Sequence, residues 1–378
     1  MDNPIAAQIE SAEKMDLEGL RVGLLYWNNY NAVRNLEDVF AHMGFETTIF
    51  PYNTTIPEGL DVIFVRGPYG SLAPLGKQLT ATPAHRRPAF VYVMVEPLPH
   101  PGLPEWLRRA AGWSRSAVER IAYRQAPDGV WKAVPSFPLS MLKAYRFNYY
   151  GDLMWMQREG ILTVLGIPSR WNVDFLRQRG FDPLYLPLSI PKDPTVNFRN
   201  ERDIPVLWLG KPGSGRRARI LKRVREDLKQ RGVELMVIDG IEHPYVFGKK
   251  RDLLLSRTKI VLNILRNWWD DNSMRYVLSM PKGALVVGEP TLPHTAFVPG
   301  VHLVQAPIEQ IADQICYYLE HEEERLQIVE RAYEEITRYS PVDIMHAVFE
   351  RAVRQRQSGL VTTSMFVERL PQGASSTK

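Results

Sequence analysis

Short apolar runs alternate with helical patterns along most of the chain. In the first half, 21–27, 46–52, 61–67, 89–96, 161–168 and 183–190 read as strands. Most of these runs are continuously apolar, the pattern of strands covered on both faces. Between them, 32–44 carries Val33, Leu36, Val39, Phe40 and Met43 at helical spacing and ends on Gly44. A second helix is predicted over 171–179, stopped by Gly180. After a polar, proline-containing bridge at 191–203 the rhythm restarts. Strands are predicted at 204–210, 233–239, 259–265 and 284–289, with helices at 216–231, 249–257, 273–281, 308–321, 323–338 and 341–357. Strand–helix alternation implies parallel sheets. Its repetition implies two α/β units of one architecture, 1–195 and 196–360, followed by a polar tail at 361–378.

One segment breaks the alternation. Residues 97–137 open on PLPHPGLP and carry a basic amphipathic helix, PEWLRRAAGWSRSAVERIAYR. As an ordinary surface helix it would turn Trp106, Val118 and Ile121 inward. Its basic, amphipathic composition also fits a peripheral membrane contact or a protein partner.

Composition narrows the function classes. Of 378 residues, 45% are hydrophobic and 24% charged, enough for sizeable cores. The net charge of +5 favours an anionic ligand but is too diffuse for a nucleic-acid partner. A single cysteine, Cys316, excludes an internal disulfide and a multi-cysteine metal site, and its apolar surroundings place it in a core. With no leader-like or membrane-length apolar run, a cytoplasmic location is expected.

In open parallel sheets, ligands bind beyond the carboxyl ends of strands. The run after 204–210 is GKPGSGRRAR, where glycines admit a phosphate and Lys211, Arg216 and Arg217 add charge. It matches neither a P-loop nor the dinucleotide fingerprint. The strand at 259–265 leads into the densest polar cluster: Asn263, Arg266, Asn267, Asp270, Asp271, Asn272, Ser273 and Arg275, with Trp268 and Trp269 among them. Arg266 and Arg275 suit bidentate contacts to a diphosphate, and Ser273 suits a helix cap. Glu289 closes the next strand, where a carboxylate accepts from sugar or ribose hydroxyls. On the first half, Glu96 and His100 follow the fourth strand and are candidate general bases.

The stretch VLNILRNWWDDNSMRYVLSMPKGALVVGEP resembles the GT-B glycosyltransferases, specifically group 1 transferases of the CgeB (spore maturation) type. So does FVPGVHLVQAPIEQIADQICYYLEHEEERLQIVERAYEEI, which extends the resemblance over roughly 255–350. It implies two Rossmann-like domains facing across a cleft. It also implies transfer of a sugar, of the hexosyltransferase type, from a nucleotide-diphosphate donor, without metal or further cofactor. The acceptor would be a glycan, lipid, small molecule or protein. The family's donor-binding positions fall on Asn263, Arg266, Ser273, Arg275, Gly283 and Glu289, with Asp270 at the place of a second carboxylate. The chain departs from the pattern at Leu278, where the family carries a glutamate, and at Lys282, where it carries a small residue. The alternative implied by Leu278 is a catalytically impaired nucleotide- or sugar-binding scaffold.

Overall fold

The computed structural model describes residues 14–27, 31–67, 70–134, 145–211, 215–271 and 273–359, with Ile9 and Gly213 besides; the side chains of 31–35 are not described. The tail expected at 361–378 and the end of the 97–137 segment lie outside these residues.

The first sheet contains β1 (Arg21–Tyr26), β2 (Glu46–Pro51), β3 (Val62–Gly67), β4 (Ala89–Met94), β7 (Val164–Ile167) and β8 (Pro183–Tyr185). A separate antiparallel hairpin is formed by β5 (Tyr123–Gln125) and β6 (Trp131–Ala133). The second sheet contains β9 (Ile204–Leu209), β10 (Leu235–Ile238), β11 (Thr258–Asn263), β12 (Leu285–Gly288) and β13 (Val304–Gln305). Every pair in both sheets is parallel. The spatial orders are β2-β1-β3-β4-β7-β8 and β10-β9-β11-β12-β13. Both therefore begin second, first, third, fourth, the doubly wound order of a Rossmann-like unit. In each sheet the strand order reverses between the first and third strands, beside β1 and β9.

The helices are α1 (Asn31–His42), α2 (Ala73–Ala81), α3 (Glu105–Ala122), α4 (Tyr145–Arg158), α5 (Arg170–Arg177), α6 (Gly215–Gln230), α7 (Gly248–Ser256), α8 (Met274–Ser279), α9 (Ile311–Glu320), α10 (Glu322–Ile336) and α11 (Pro341–Gln357). Apolar clusters lie on both faces of each sheet, which is why the strands read as unbroken apolar runs. Cys316 packs at the margin of the second core and is half-buried. The sequence pattern assigns α11 to the second unit. Its Ile344, Ala347, Val348, Phe349 and Ala352 instead pack on the first sheet, where Phe349 meets Phe40, Phe45 and Phe64.

Helix α3 forms where the amphipathic pattern predicts, but rotated. Trp106 is 71% and Ile121 54% exposed, while Arg108, Gly112, Arg115 and Ser116 are buried. The cause is the closeness of α4. A Cβ on Gly151 would lie 2.0 Å from the Gly112 carbonyl oxygen, so no large side chain fits between the two helices. Buried Arg108 pairs with Glu105 and donates from Nη2 to Pro101 O at 2.9 Å and Leu103 O at 2.6 Å. These bonds fix the turn that carries His100.

The same helix pair buries a carboxyl group. Asp152 lies between Ser116 Oγ, which donates at 2.5 Å, and Asn148 Nδ2 at 3.2 Å. Burial pushes its pKa up to about 7. The folded chain therefore binds this proton more tightly than the unfolded chain, and stability falls as pH rises through about 7. Asp152→Asn should raise stability by up to about 4 kcal/mol at pH 8 and leave it nearly unchanged at pH 4. Urea unfolding at the two pH values checks this, and an equal change at both would remove Asp152 as the cause.

Candidate active site

Beyond the carboxyl ends of β9, β11 and β12 the second unit collects its polar residues. Arg216, near the start of α6, donates to Leu265 O at 3.0 Å and to Glu289 Oε1 at 3.1 Å. Glu289 is 5% exposed and also accepts from Leu265 N at 2.6 Å. The phosphate-binding cation and the hydroxyl-binding carboxylate expected from sequence are thus paired with each other. They tie the turn after β9 to the turn after β11. Burial lowers the pKa of Arg217, and the Arg266 and Arg216 charges add to that lowering. Lys211 is exposed just after β9, between Gly210 and Gly213, both at positive φ. Pro212 and Ser214 of this loop lie outside the described residues.

Arg275, expected to grip a diphosphate, turns inward. It is stacked 4.1 Å over Trp208 and donates to Asn263 Oδ1 at 3.3 Å and Leu209 O at 3.1 Å. It holds the ends of β9 and β11 in register. Burial, helped by the Arg217 charge, pushes it down to about 9. Ser273 occupies the N-cap position of α8, but its side chain makes no cap bond. The Asp271 carboxylate accepts from Ser273 N at 2.8 Å instead.

Gly283 does not join this group. It precedes β12, at the opposite edge of the sheet, with φ 74°. A Cβ there would sit 2.4 Å from Arg202 Nη2, so glycine is required by packing against that arginine. Leu278 has an equally local explanation. It packs on Ile204, Leu207, Ile238, Leu255, Val261 and Ala284. Leu278 is half-buried, so Leu278→Glu should destabilise the fold by up to about 1–3 kcal/mol, the range for an uncompensated polar group in a core. A thermal-denaturation midpoint equal to wild type would show that the position opens to the cleft.

The first unit closes on this surface. Arg146 of α4 donates from Nη1 to Asp270 Oδ1 at 2.7 Å and from Nη2 to Oδ2 at 3.0 Å. Asp270 is 6% exposed and also accepts from Asn267 Nδ2 at 3.1 Å. The Arg146 guanidinium lies 5.2 Å from the Trp269 ring centre. His100 meets Trp269 at 4.4 Å and Trp268 at 5.5 Å, both nearly perpendicular. Farther along, Ser169 Oγ and His294 Nδ1 are 2.7 Å apart, and Arg170 N donates to His294 O at 2.7 Å. His294 is buried, with its pKa lowered by desolvation against the pull of Asp271 and Asp270.

Glu96, half-buried after β4, faces the same cluster. Desolvation raises its pKa, and Arg266 of the second unit and Arg146 of its own unit pull it back down. Of the sequence-predicted residues, Glu96, His100, Lys211, Arg216, Asn263, Arg266, Asp270, Ser273, Arg275 and Glu289 all lie at carboxyl edges. Arg146, Ser169 and His294 enter only through the fold. Among the described residues, no group of three or more His, Cys, Asp or Glu side chains is arranged to hold a metal ion. No described helix is long and apolar enough to cross a membrane.

Two Rossmann-like units facing across a cleft define the GT-B architecture, and this chain has it. A family model described as glycosyl transferase-like matches residues 217–349. No curated protein sequence matches. Among solved structures, sucrose-phosphate synthase from Thermosynechococcus elongatus superposes with a TM-score of 0.51 at 10% identity, covering 90% of this chain and 100% of that one. This likeness bears on the fold. A glycosyltransferase from Rickettsia africae scores 0.48 at 9% identity, covering 92% and 99% of the two chains. An alpha1,3-fucosyltransferase scores 0.42 at 13% identity, covering 94% and 97%.

Proposed function

We propose that the protein is a glycosyltransferase of the CgeB-like type. It moves a hexosyl group from a nucleotide-diphosphate sugar to an acceptor hydroxyl, using neither a metal nor a further cofactor. The observation that carries this reading is the convergence of charge at the two carboxyl edges. Arg266, from the turn after β11, acts on Glu96, a desolvated carboxylate after β4, and Arg216 and Arg217 at the start of α6 add their charge beside Arg266. The glycosyl transferase-like match over 217–349 covers most of the proposed donor side and supports the same class.

The donor diphosphate lies against Lys211, Arg216, Arg217 and Arg266. The acceptor oxygen bonds to the anomeric carbon as the carbon–oxygen bond to the diphosphate breaks, its electron pair leaving with the diphosphate. Fixed cations stabilise that growing charge. The acceptor proton passes to Glu96, and the anomeric centre inverts. Glu96 is preferred to His100 because it lies half-buried under the charges of Arg266 and Arg146. His100 Nδ1 already accepts from Gly102 N at 3.0 Å. In this reading Asp270 and Asn263 shape the donor pocket, and Arg275 supports it from below.

A second reading rests on the Arg216–Glu289 pair, which satisfies two expected donor contacts internally. It makes the chain a nucleotide-binding protein without turnover. Incubation with UDP-, GDP- and dTDP-sugars, with release of nucleoside diphosphate and thermal shift both followed, separates the two. Release supports transfer, thermal shift without release across acceptors supports the second reading, and no shift with any nucleotide sinks both. Arg266→Ala should weaken nucleoside-diphosphate binding by about 1.5–3 kcal/mol, the range for a charge-assisted bond. An unchanged dissociation constant by calorimetry would take Arg266 out of the site.

A further inference from the structure

Trp268 is the large apolar side chain that the mechanism above leaves without work. It is 49% exposed, in a loop whose neighbours are Arg266, Asn267 and buried Asp270. Its position is fixed from two sides. The Trp269 ring lies 5.7 Å away at 76° and the His100 ring 5.5 Å away at 81°. Trp269 is held in turn by His100 at 4.4 Å and by the Arg146 guanidinium at 5.2 Å. Arg146 itself is fixed by its two bonds to Asp270. About half of a rigid indole surface is thus held open at the junction of the two units.

We infer that Trp268 is the shelf on which a saccharide acceptor stacks, so that the acceptor hydroxyl is presented by a sugar ring. The inference rests on the glycosyltransferase reading and adds the acceptor class to it. A pyranose ring has one face of C–H groups and a rim of hydroxyls. Trp268 supplies an apolar face. His100 against its ring and Arg266 and Asn267 beside it in the loop supply hydrogen-bonding groups that suit the rim. A lipid chain matches this rim poorly, because its arrival would desolvate the charged groups without bonding them. A nucleobase is disfavoured by the side on which the indole leans. Trp268 packs against His100 of the first unit, whereas the donor contacts belong to the second. The loop thus meets the first unit at His100, and the same loop carries Arg266, whose charge acts on Glu96.

The full-length protein, Trp268→Ala and Trp268→Phe test this. Each is saturated with UDP or GDP, whichever binds by thermal shift. Saturation-transfer NMR is then recorded with glucose, galactose, mannose, N-acetylglucosamine and their β1,4 disaccharides. The expected result is transfer to the C–H protons of one ring face in wild type and Trp268→Phe. Trp268→Ala should bind the same sugar at least tenfold more weakly, with an unchanged nucleotide shift in all three proteins. Three outcomes overturn the shelf: undiminished saccharide binding by Trp268→Ala, loss of its nucleotide shift, or no saccharide signal in a wild type that binds nucleotide. Absence of a nucleotide shift in wild type would instead fell the glycosyltransferase reading on which the shelf depends.

Discussion

Glu96→Gln should lower kcat by about 10²–10⁴-fold, the range for loss of a positioned general base. The amide keeps the shape of the side chain and cannot take the acceptor proton. Donor binding should survive, because the proposed donor contacts lie on the second unit. The pH profile gives the sharper readout. Desolvation raises the Glu96 pKa, and Arg266 and Arg146 only partly oppose it. A base works deprotonated, so activity should fall as pH drops through that raised pKa, above the usual carboxylate range. The acidic limb should vanish in Glu96→Gln. A variant with wild-type kcat and the same acidic limb would return the role of base to His100 or to a mechanism that needs none.

Breaking the ion pair between the units should have the largest structural effect. Asp270→Asn leaves the Arg146 guanidinium, 22% exposed, without its carboxylate. Losing one partner of a fully buried pair costs about 3–5 kcal/mol, and the partial exposure of Arg146 should bring the cost here below that range. Arg146→Ala leaves Asp270 in the same position. The two variants together should therefore cost clearly less than the sum of each alone. Equilibrium denaturation of the four proteins gives the coupling. Strict additivity would mean that the pair contributes nothing in solution. The pair also joins the two sides of the cleft, so small-angle scattering of Asp270→Asn should show a larger radius of gyration than wild type.

Most strands of the two sheets were legible because they are apolar runs with a turn signal at the end. The run VIFVRG, for example, becomes β3 with five of its six residues buried. Helix α4 was not legible. Its residues from Asn148 to Met156 are all buried, so it has no polar face and no 3.6-residue stripe. Strand β13 is two residues long and carries no pattern. The polar residues after β9, β11 and β12 were found by the rule that parallel sheets bind at their carboxyl ends. Their partners were not. Arg146 lies 124 residues from Asp270, and Ser169 lies 125 from His294, in segments that share no motif. Arg275 misled for a related reason. Spacing identifies an arginine at a helix start but not whether it points out to a ligand or back to Asn263 and Leu209. Leu278 stands in a helix of six residues, too short for periodicity to reveal its apolar side.

The return of α11 to the first sheet bears on how the chain is made. Synthesis runs from the N-terminus, and domains as a rule fold as they emerge. Here the first sheet cannot finish its core on that schedule. The aromatic cluster of Phe40, Phe45 and Phe64 waits for Phe349, which leaves the ribosome after the whole second sheet. The half translated first is completed last. A ribosome stalled before residue 341 would hold a second unit ready to close beside a first unit with an open apolar face.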